Sequence, residues 1–272
     1  MATGVQPILA KPHEAVAVPG LEGFHPAVAT WFARRFPEGP TEAQAQGWPS
    51  VRAGADTLIA APTGTGKTLA GFLVAIDRIY SDPEAALPPS GREGRLTETA
   101  TRLVYVSPLK ALAVDIHQNL EQPLAEIAEV AVELGYEVPH ITVAVRTGDT
   151  TSSARAAMLR RPPTFLVTTP ESLYLLVSAQ RSREILRDVE WLIVDEIHAL
   201  ARDKRGAHLA LTMERLDRLA RGRRPQRVGL SATQRPIELT ARLLAGVPAG
   251  GRDGAAEGAP ADPGPTVVRP IA

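Results

Sequence analysis

Short apolar runs alternate with longer stretches of helical periodicity along most of this chain. The runs have the length and the aliphatic composition of buried strands, and they cover residues 58–61, 103–106, 141–145, 165–168, 192–194 and 227–230. Between them, apolar residues recur every three or four positions, as at Leu69, Phe72, Leu73, Ile76 and Ile79. Strands that alternate with helices predict an α/β fold in which helices cover both faces of a parallel sheet.

The remaining segments divide the chain into regions. Helices are also expected within residues 24–51, where Thr41 can cap one of them, at residues 111–133, and around a stripe of Leu209, Met213, Leu216 and Ala220. Residues 1–20 are expected to be a loosely ordered arm, residues 82–99 a surface loop, and residues 246–265 a flexible linker before a short extended piece. We therefore expect one domain at residues 21–245. Residues 246–272 are expected to hold the linker and the start of a second domain, as in a truncated gene product or a first-domain fragment.

Composition narrows the functional classes. The 272 residues include no cysteine, which excludes a disulfide framework and suits a reducing cytoplasm. No run approaches the ~18 apolar residues of a membrane span, and residues 1–20 lack the pattern of a secretory signal, so no membrane partner is expected. The formal net charge is zero. A site for nucleic acid must therefore be local, or most of it must lie on a part of the protein outside this chain.

A glycine-bearing loop with the sequence APTGTGKT, residues 61–68, separates the first apolar run from the first helical stripe. Strand, glycine-bearing loop, Lys-Thr and helix is the phosphate-binding P-loop arrangement. Gly64 and Gly66 allow a tight turn that points several N–H groups at one phosphate, and the helix start adds partial positive charge. Lys67 supplies a charge for the outer phosphates, and the Thr68 hydroxyl can bind Mg²⁺. The alternative, a structural glycine-rich turn, is disfavoured by the flanking strand and helix.

Two acidic residues follow another apolar run. Asp195 and Glu196 end the run at 192–194, where parallel sheets bind their ligands. Asp195 can hold Mg²⁺ directly or through water, and Glu196 can orient or deprotonate the water that attacks the γ-phosphate. His198 has no phosphate role of its own and is expected to couple the site to another segment. Alone, such a run would usually be a strand end that meets solvent; with the P-loop upstream it predicts an ATPase with Lys67, Asp195, Glu196 and His198 as its catalytic set.

These motifs resemble the first RecA-like domain of superfamily 2 helicases of the DEAD/DEAH-box type, and most of all the large helicase-related (Lhr-type) group. Residues 61–68 are similar to motif I in its superfamily 2 form, where a first alanine is common, and the DEIH at 195–198 is similar to motif II. The other matching segments are PTEAQ at 40–44 with WP at 48–49 (Q motif), SPLKAL at 107–112 (motif Ia), RTGDT at 146–150, TTPESL at 168–173, and SAT at 231–233 (motif III). Their order and spacing match over residues 24–245. The Lhr-type assignment rests on the Q-motif segment, the DEIH, and HP at 25–26 with Trp31, Phe32 and Phe36.

The resemblance implies a role for each matching segment. ATP would be bound by Gln44, which reads the adenine edge, and by Thr63, Gly64, Thr65, Gly66, Lys67 and Thr68, with Mg²⁺ held by Thr68 and Asp195. Ser231, Ala232 and Thr233 would link the ATP state to nucleic-acid binding. The turns expected to face nucleic acid contain Pro108, Lys110, Gly148, Thr169, Pro170 and Glu171.

The expected partners are single-stranded DNA or RNA, or a hybrid duplex, and a second RecA-like domain that supplies arginine fingers. Turns of this kind expose N–H groups and hydroxyls, and aromatic residues are only 4% of the chain, so contacts should go to the backbone and ignore sequence. A basic segment, RGRRPQR at 221–227, is either a further patch for DNA or, more often for such runs, a solvated loop.

Three functions remain open at this point. The first is the ATP-binding half of a nucleic-acid-stimulated ATPase that moves along or unwinds DNA or RNA–DNA duplexes. The second is a nucleotide-binding remnant or interaction module without useful turnover. The third, a P-loop kinase or transporter ATPase, leaves the Gln44 segment and the SAT at 231–233 without a purpose.

Overall fold

Seven parallel strands form one sheet in this computed structural model, which describes residues 19–82, 100–201, 203–221, 224–233, 235–246 and 265–268. The strands in chain order are β1 (Thr57–Ala60), β2 (Leu103–Val106), β3 (Val143–Arg146), β4 (Phe165–Thr168), β5 (Trp191–Val194), β6 (Gln226–Ser231) and β7 (Thr266–Val268). Their order across the sheet is β3-β4-β2-β5-β6-β1-β7, and every neighbouring pair is parallel.

Helices cover both faces of the sheet and bury two apolar cores. One face carries α1 (Pro26–Arg35), α2 (Glu42–Arg52), α3 (Lys67–Ser81) and α4 (Lys110–Glu133). The other carries α5 (Ser152–Arg160), α6 (Pro170–Ser178), α7 (Ile197–Leu200), α8 (Lys204–Leu219) and α9 (Ile237–Ala245), with a 3₁₀ turn at Ser182–Leu186. In β2, Leu103 and Tyr105 face the first core while Val104 and Val106 face the second. Because both faces are covered, the central strands β2 and β5 are continuous apolar runs, as in parallel sheets generally. The α/β fold predicted from the alternating pattern is confirmed.

Several element boundaries differ from the prediction. The third strand begins at Val143 rather than at residue 141, and α8 ends at Leu219, so Ala220 lies just outside the helix as its C-cap. The predicted capping role of Thr41 is confirmed, since its side chain accepts a hydrogen bond from the Gln44 amide and the Gln44 side chain accepts one from the Thr41 amide.

The C-terminal segment joins the sheet. The extended piece beginning at residue 266, expected to start a further domain, instead pairs in parallel with β1 and forms one edge of the sheet. Most of the expected arm (1–20), surface loop (82–99) and linker (246–265) lies outside the described residues, which omit 1–18, 83–99 and 247–264. Within the described residues, no helix is long and apolar enough to cross a membrane.

In the basic segment at 221–227, Arg221 and Arg224 are exposed, as expected of a solvated loop, whereas Arg227 fits neither interpretation drawn from the sequence. Arg227 is fully buried in β6 and forms ion pairs with Glu214 (3.1 Å) and Asp217 (2.6 Å). Arg224 pairs with Asp217 and with Asp56, at 3.1 and 2.6 Å. These ion pairs link α8 and the loop before β1 to the sheet, and the buried guanidinium of Arg227 is not available to DNA. Residues 222–223 lie outside the described chain.

Candidate functional site

The strand order separates the expected functions along one edge of the sheet. In a parallel sheet all strands end at the same edge, where ligands bind. The adjacent strands β5, β6 and β1 end in Asp195-Glu196, in the SAT at 231–233 and in the P-loop. The other half, β3, β4 and β2, ends in the turns that contain Gly148, Thr169 and Pro108. The boundary between the halves is the β2–β5 pair.

The P-loop has the backbone of a phosphate cradle. Gly64 and Gly66 have φ values of +82° and +72°, a region that side chains disfavour. A Cβ at Gly66 would also lie 2.5 Å from Gln44 Nε2. Within the described chain, the amides of residues 63–66 donate no backbone hydrogen bond, and α3 begins immediately afterwards, at Lys67. Free amides at a helix start are suited to bind an anion.

Lys67 lies beneath the loop. Its side chain is 7% exposed, and its ammonium donates hydrogen bonds to the carbonyls of Ala61 and Pro62, both at 2.6 Å. Burial lowers the pKa of Lys67, and the charges of Glu196 and Asp195 oppose that shift. The lysine predicted for the phosphates therefore lies between the cradle and the acidic pair.

Asp195 is held at both carboxylate oxygens. Oδ2 accepts a hydrogen bond from the Tyr105 hydroxyl at 2.5 Å, and Oδ1 accepts one from the Glu196 amide at 2.9 Å. Burial raises the pKa of Asp195, and the Tyr105 hydrogen bond acts against that shift. Burial and the Asp195 charge raise the pKa of Tyr105 well above its ordinary value, so its hydroxyl keeps its proton and remains a donor. Sequence reasoning missed Tyr105. The available signal was a tyrosine inside a fully buried strand, since a buried hydroxyl needs a partner.

Glu196 and His198 connect the acidic turn to the next strand. Glu196 has φ +44°, the one positive value at a non-glycine position among the described residues, so the chain turns sharply there. His198 Nδ1 lies 3.3 Å from Glu196 Oε2 and accepts a hydrogen bond from the Ala232 amide at 3.3 Å. The carbonyl of Ser231 accepts a hydrogen bond from the Ala61 amide at 3.1 Å, while Thr233 is exposed. The P-loop, the DEIH at 195–198 and the SAT at 231–233, which we call the three ATP motifs, are therefore in contact. Such contact is required if the SAT links the ATP state to nucleic-acid binding, and that link stays a prediction.

Gln44 is buried against the P-loop. Its Oε1 accepts the Thr41 amide at 2.9 Å, and its Nε2 donates to the Gly66 carbonyl at 3.3 Å. The Thr41 hydroxyl donates to the carbonyl of Thr65 at 2.9 Å, so α2 braces the loop at two points. The adenine contact of Gln44 stays a prediction, and the structure adds a second role, support of the cradle.

The residues present fit Mg²⁺ bound together with ATP. The Thr68 side chain lies beside the Tyr105 hydroxyl, which also holds Asp195, so the two predicted metal ligands share one neighbour. No cluster of three or more His, Cys, Asp or Glu suited to a metal occurs in the described part of the chain. Mg²⁺ usually takes one or two protein oxygens and completes its shell with phosphates and water, which this donor set allows.

The turns predicted to face nucleic acid are held together by side chains. Lys110 Nζ is 2.7 Å from Asp149 Oδ1, and Arg155 donates to the carbonyl of Gly148 at 2.9 Å. Arg205, at the start of α8, donates to Glu171 Oε1 and to the carbonyl of Pro108, both at 2.8 Å. Sequence reasoning missed Arg205 and Arg155, because their partners are distant or are backbone atoms.

Two predicted contact residues are used in the fold. Thr169 is the N-cap of α6, its buried hydroxyl accepting the Ser172 amide, and Pro170 is the first residue of that helix. The Glu171 carboxylate accepts a hydrogen bond from Arg205, which also contacts Pro108, so Glu171 helps to fix the turns after β2 and β4. A direct contact of these three residues with nucleic acid stays a prediction.

Comparison with known proteins agrees with this geometry. The DEAD/DEAH box helicase family profile matches residues 41–240. The chain is 52% identical over 216 residues to the Lhr helicase/probable uracil glycosylase of Mycolicibacterium smegmatis, covering 79% of this chain and 13% of that protein. It is 46% identical over 219 residues to the ATP-dependent helicase Lhr-Core protein 2 of Thermococcus barophilus, covering 80% of this chain and 24% of that protein.

A solved structure shows the same fold. The Mycobacterium smegmatis helicase Lhr bound to ssDNA and AMP-PNP superposes with a TM-score of 0.78 at 45% identity, over 94% of this chain and 28% of that one. The chain thus spans between about an eighth and a quarter of the length of these relatives and resembles their RecA-like domain. The resemblance to the Lhr-type group is confirmed, and the chain belongs to the DEAD/DEAH box helicase family.

Proposed function

We propose that this chain is the ATP-binding first motor domain of a nucleic-acid-dependent ATPase that translocates on or unwinds DNA or RNA–DNA duplexes. One observation carries the proposal: the three ATP motifs touch one another through the Ala61–Ser231 and His198–Ala232 hydrogen bonds. The turns for nucleic acid lie along the same edge of the same sheet. A kinase or transporter ATPase would give this connection no purpose.

In the proposed reaction the P-loop binds the phosphates and the acidic turn at 195–196 binds Mg²⁺ and the attacking water. The amides of the glycine loop and Lys67 would hold the phosphates, and Thr68 and Asp195 would hold Mg²⁺, which would neutralise phosphate charge. Glu196 orients the attacking water and accepts its proton, a role worth roughly 10²–10⁴-fold in rate. His198 contacts both Glu196 and the Ala232 amide, so a movement of Glu196 would shift the end of β6.

Nucleic acid would lie across the turns that follow β2, β3 and β4. Backbone amides, hydroxyls and Lys110 would contact phosphates, so binding should be independent of sequence and should weaken as salt rises. Single-stranded DNA is the first ligand to test, since the structurally similar Mycobacterium smegmatis helicase was solved with ssDNA. A second RecA-like domain would supply an arginine finger, which is worth about 10³–10⁵ in rate.

The test is ATP turnover in a protein that contains both this domain and a second RecA-like domain. Turnover should rise on addition of single-stranded DNA or RNA, and the 272-residue chain alone should turn over ATP very slowly. Turnover that does not respond to nucleic acid would favour the alternative, a nucleotide-binding module without motor function.

A further inference from the structure

Tyr105 occupies the boundary between the ATP half and the nucleic-acid half of the sheet. It lies on β2, the strand that leads to Pro108 and Lys110, and it pairs in register with Ile193 of β5. Its side chain is fully buried, and its ring stacks on Phe72 of α3 with centroids 4.8 Å apart and planes at 14°. The position of the ring is therefore fixed by packing against α3, the helix that follows the P-loop.

The Tyr105 hydroxyl lies next to both predicted Mg²⁺ ligands. It donates a hydrogen bond to Asp195 Oδ2 at 2.5 Å, and the Thr68 side chain lies beside it. Thr68 and Phe72 are four residues apart on α3, so they lie on one side of the helix. The Tyr105 ring packs on Phe72, and its hydroxyl lies beside Thr68.

Asp195 has limited freedom as a result. Its second oxygen accepts the Glu196 amide, so rotation of the carboxylate would break a hydrogen bond at one oxygen or the other. Such support of a metal-binding carboxylate by a neighbouring donor commonly decides how well the metal is held.

We propose that Tyr105 is a positioning residue of the ATP–Mg²⁺ site: its hydroxyl holds the Asp195 carboxylate, beside Thr68, in the orientation in which Asp195 reaches a Mg²⁺ ion. This inference rests on the proposed function, because it takes Asp195 and Thr68 as the metal ligands. In this proposal Tyr105 acts through Asp195 and is not itself a metal ligand.

The variant Tyr105→Phe isolates the hydroxyl. It keeps the ring on Phe72 and removes only the donor, so Asp195 Oδ2 loses its partner. Loss of such a neighbour typically costs 10–100-fold in metal affinity. Binding of nucleotide without metal should not change, because the loop amides and Lys67 are untouched.

The experiment measures binding of a fluorescent, non-hydrolysable ATP analogue to the 272-residue chain. Affinity is recorded in EDTA, and then as Mg²⁺ is titrated, for wild type, Tyr105→Phe and Tyr80→Phe. Tyr80 is the matched control, a buried tyrosine near the end of α3 that lies far from the P-loop. A double variant, Tyr105→Phe with Asp195→Asn, tests whether the hydroxyl acts through the carboxylate.

Tyr105→Phe should need at least tenfold more Mg²⁺ for half-maximal enhancement, with unchanged affinity in EDTA, and Tyr80→Phe should match wild type. In the Asp195→Asn background, Tyr105→Phe should have no further effect. A Mg²⁺ dependence of Tyr105→Phe equal to that of wild type would overturn the inference and leave the proposed function intact. A wild-type chain that binds no nucleotide with Mg²⁺ would overturn both. Equal weakening of Tyr105→Phe in EDTA and in Mg²⁺ would show a general packing role and also overturn the inference.

Discussion

The ammonium of Lys110 lies 2.7 Å from the carboxylate of Asp149, so the cation predicted for a nucleic-acid phosphate already has an anionic partner. The two residues follow β2 and β3, which are separated by β4 in the sheet. Both side chains are more than half exposed, at 56% and 75%. Exposed pairs of this kind contribute only about 0–1 kcal/mol, so a phosphate can replace Asp149 at little cost.

The first prediction concerns this pair. Lys110→Ala should weaken binding of single-stranded DNA and reduce the salt slope by about one, because one phosphate contact is lost. Asp149→Asn should strengthen binding by less than about tenfold, since it removes a competitor for Lys110. Fluorescence anisotropy over a series of salt concentrations measures both effects. A slope for Lys110→Ala identical to that of wild type would remove Lys110 from the interface.

The second prediction concerns Arg205, which joins the turns after β2 and β4. Arg205→Ala should weaken binding of single-stranded DNA while leaving binding of an ATP analogue unchanged. Arg205→Lys should not restore binding, because one ammonium cannot reproduce the two-pronged contact with Glu171 and the Pro108 carbonyl.

Arg218→Ala is the matched control for Arg205, since Arg218 is exposed in the last turn of the same helix. The Arg205–Glu171 pair is largely exposed, so Arg205→Ala should change the free energy of unfolding by no more than about 1 kcal/mol. If Arg218→Ala weakens DNA binding as much as Arg205→Ala does, the effect is one of general charge and not of position.

The third prediction concerns Arg227 and stability. Arg227→Ala would leave Glu214 and Asp217 without their buried partner, and breaking a buried pair in this way costs about 3–5 kcal/mol. Arg224→Ala should cost less, because that side chain is 40% exposed. Urea unfolding of the two variants gives the comparison, and equal midpoints would contradict the structural role of Arg227.

The elements and the ATP motifs were predictable because their signals are local. The strands at residues 103–106 and 165–168 match their apolar runs, since a strand buried on both faces needs an uninterrupted run. The P-loop likewise combines glycines, lysine and threonine within eight residues. These patterns depend on neighbours in the chain and need no knowledge of the sheet order.

The supporting contacts were not predictable, because they join residues far apart in sequence. Tyr105 and Asp195 are 90 residues apart, and Arg205 and Pro108 are 97 apart. Tyr105 reaches Asp195 because β2 and β5 are neighbours in the sheet, and Arg205 reaches Pro108 because α8 begins close to the turn after β2. The prediction for Arg227 was wrong for a related reason. A basic run in the sequence does not show that Arg227 will be buried in a strand and paired with the carboxylates of Glu214 and Asp217 on a neighbouring helix.

The fourth prediction concerns Glu196. Glu196→Gln keeps the size of the side chain and one hydrogen-bonding oxygen, so ATP binding should be retained. Turnover should fall by roughly 10²–10⁴-fold in a protein that also has a second RecA-like domain, because the proton acceptor is lost. Steady-state ATPase assays with saturating single-stranded DNA measure this, and unchanged turnover would exclude Glu196 as the base.

The central claim is that the P-loop binds ATP through Lys67, and calorimetric titration of the chain with ATP and Mg²⁺ tests it most directly. Loss of one partner from a desolvated charge pair costs about 2–5 kcal/mol, so Lys67→Ala should lower ATP affinity by about 30-fold or more. Lys204→Ala, which removes an exposed lysine of α8, should bind as wild type does. Equal ATP affinity of wild type and Lys67→Ala would contradict the assignment of this loop as the nucleotide site.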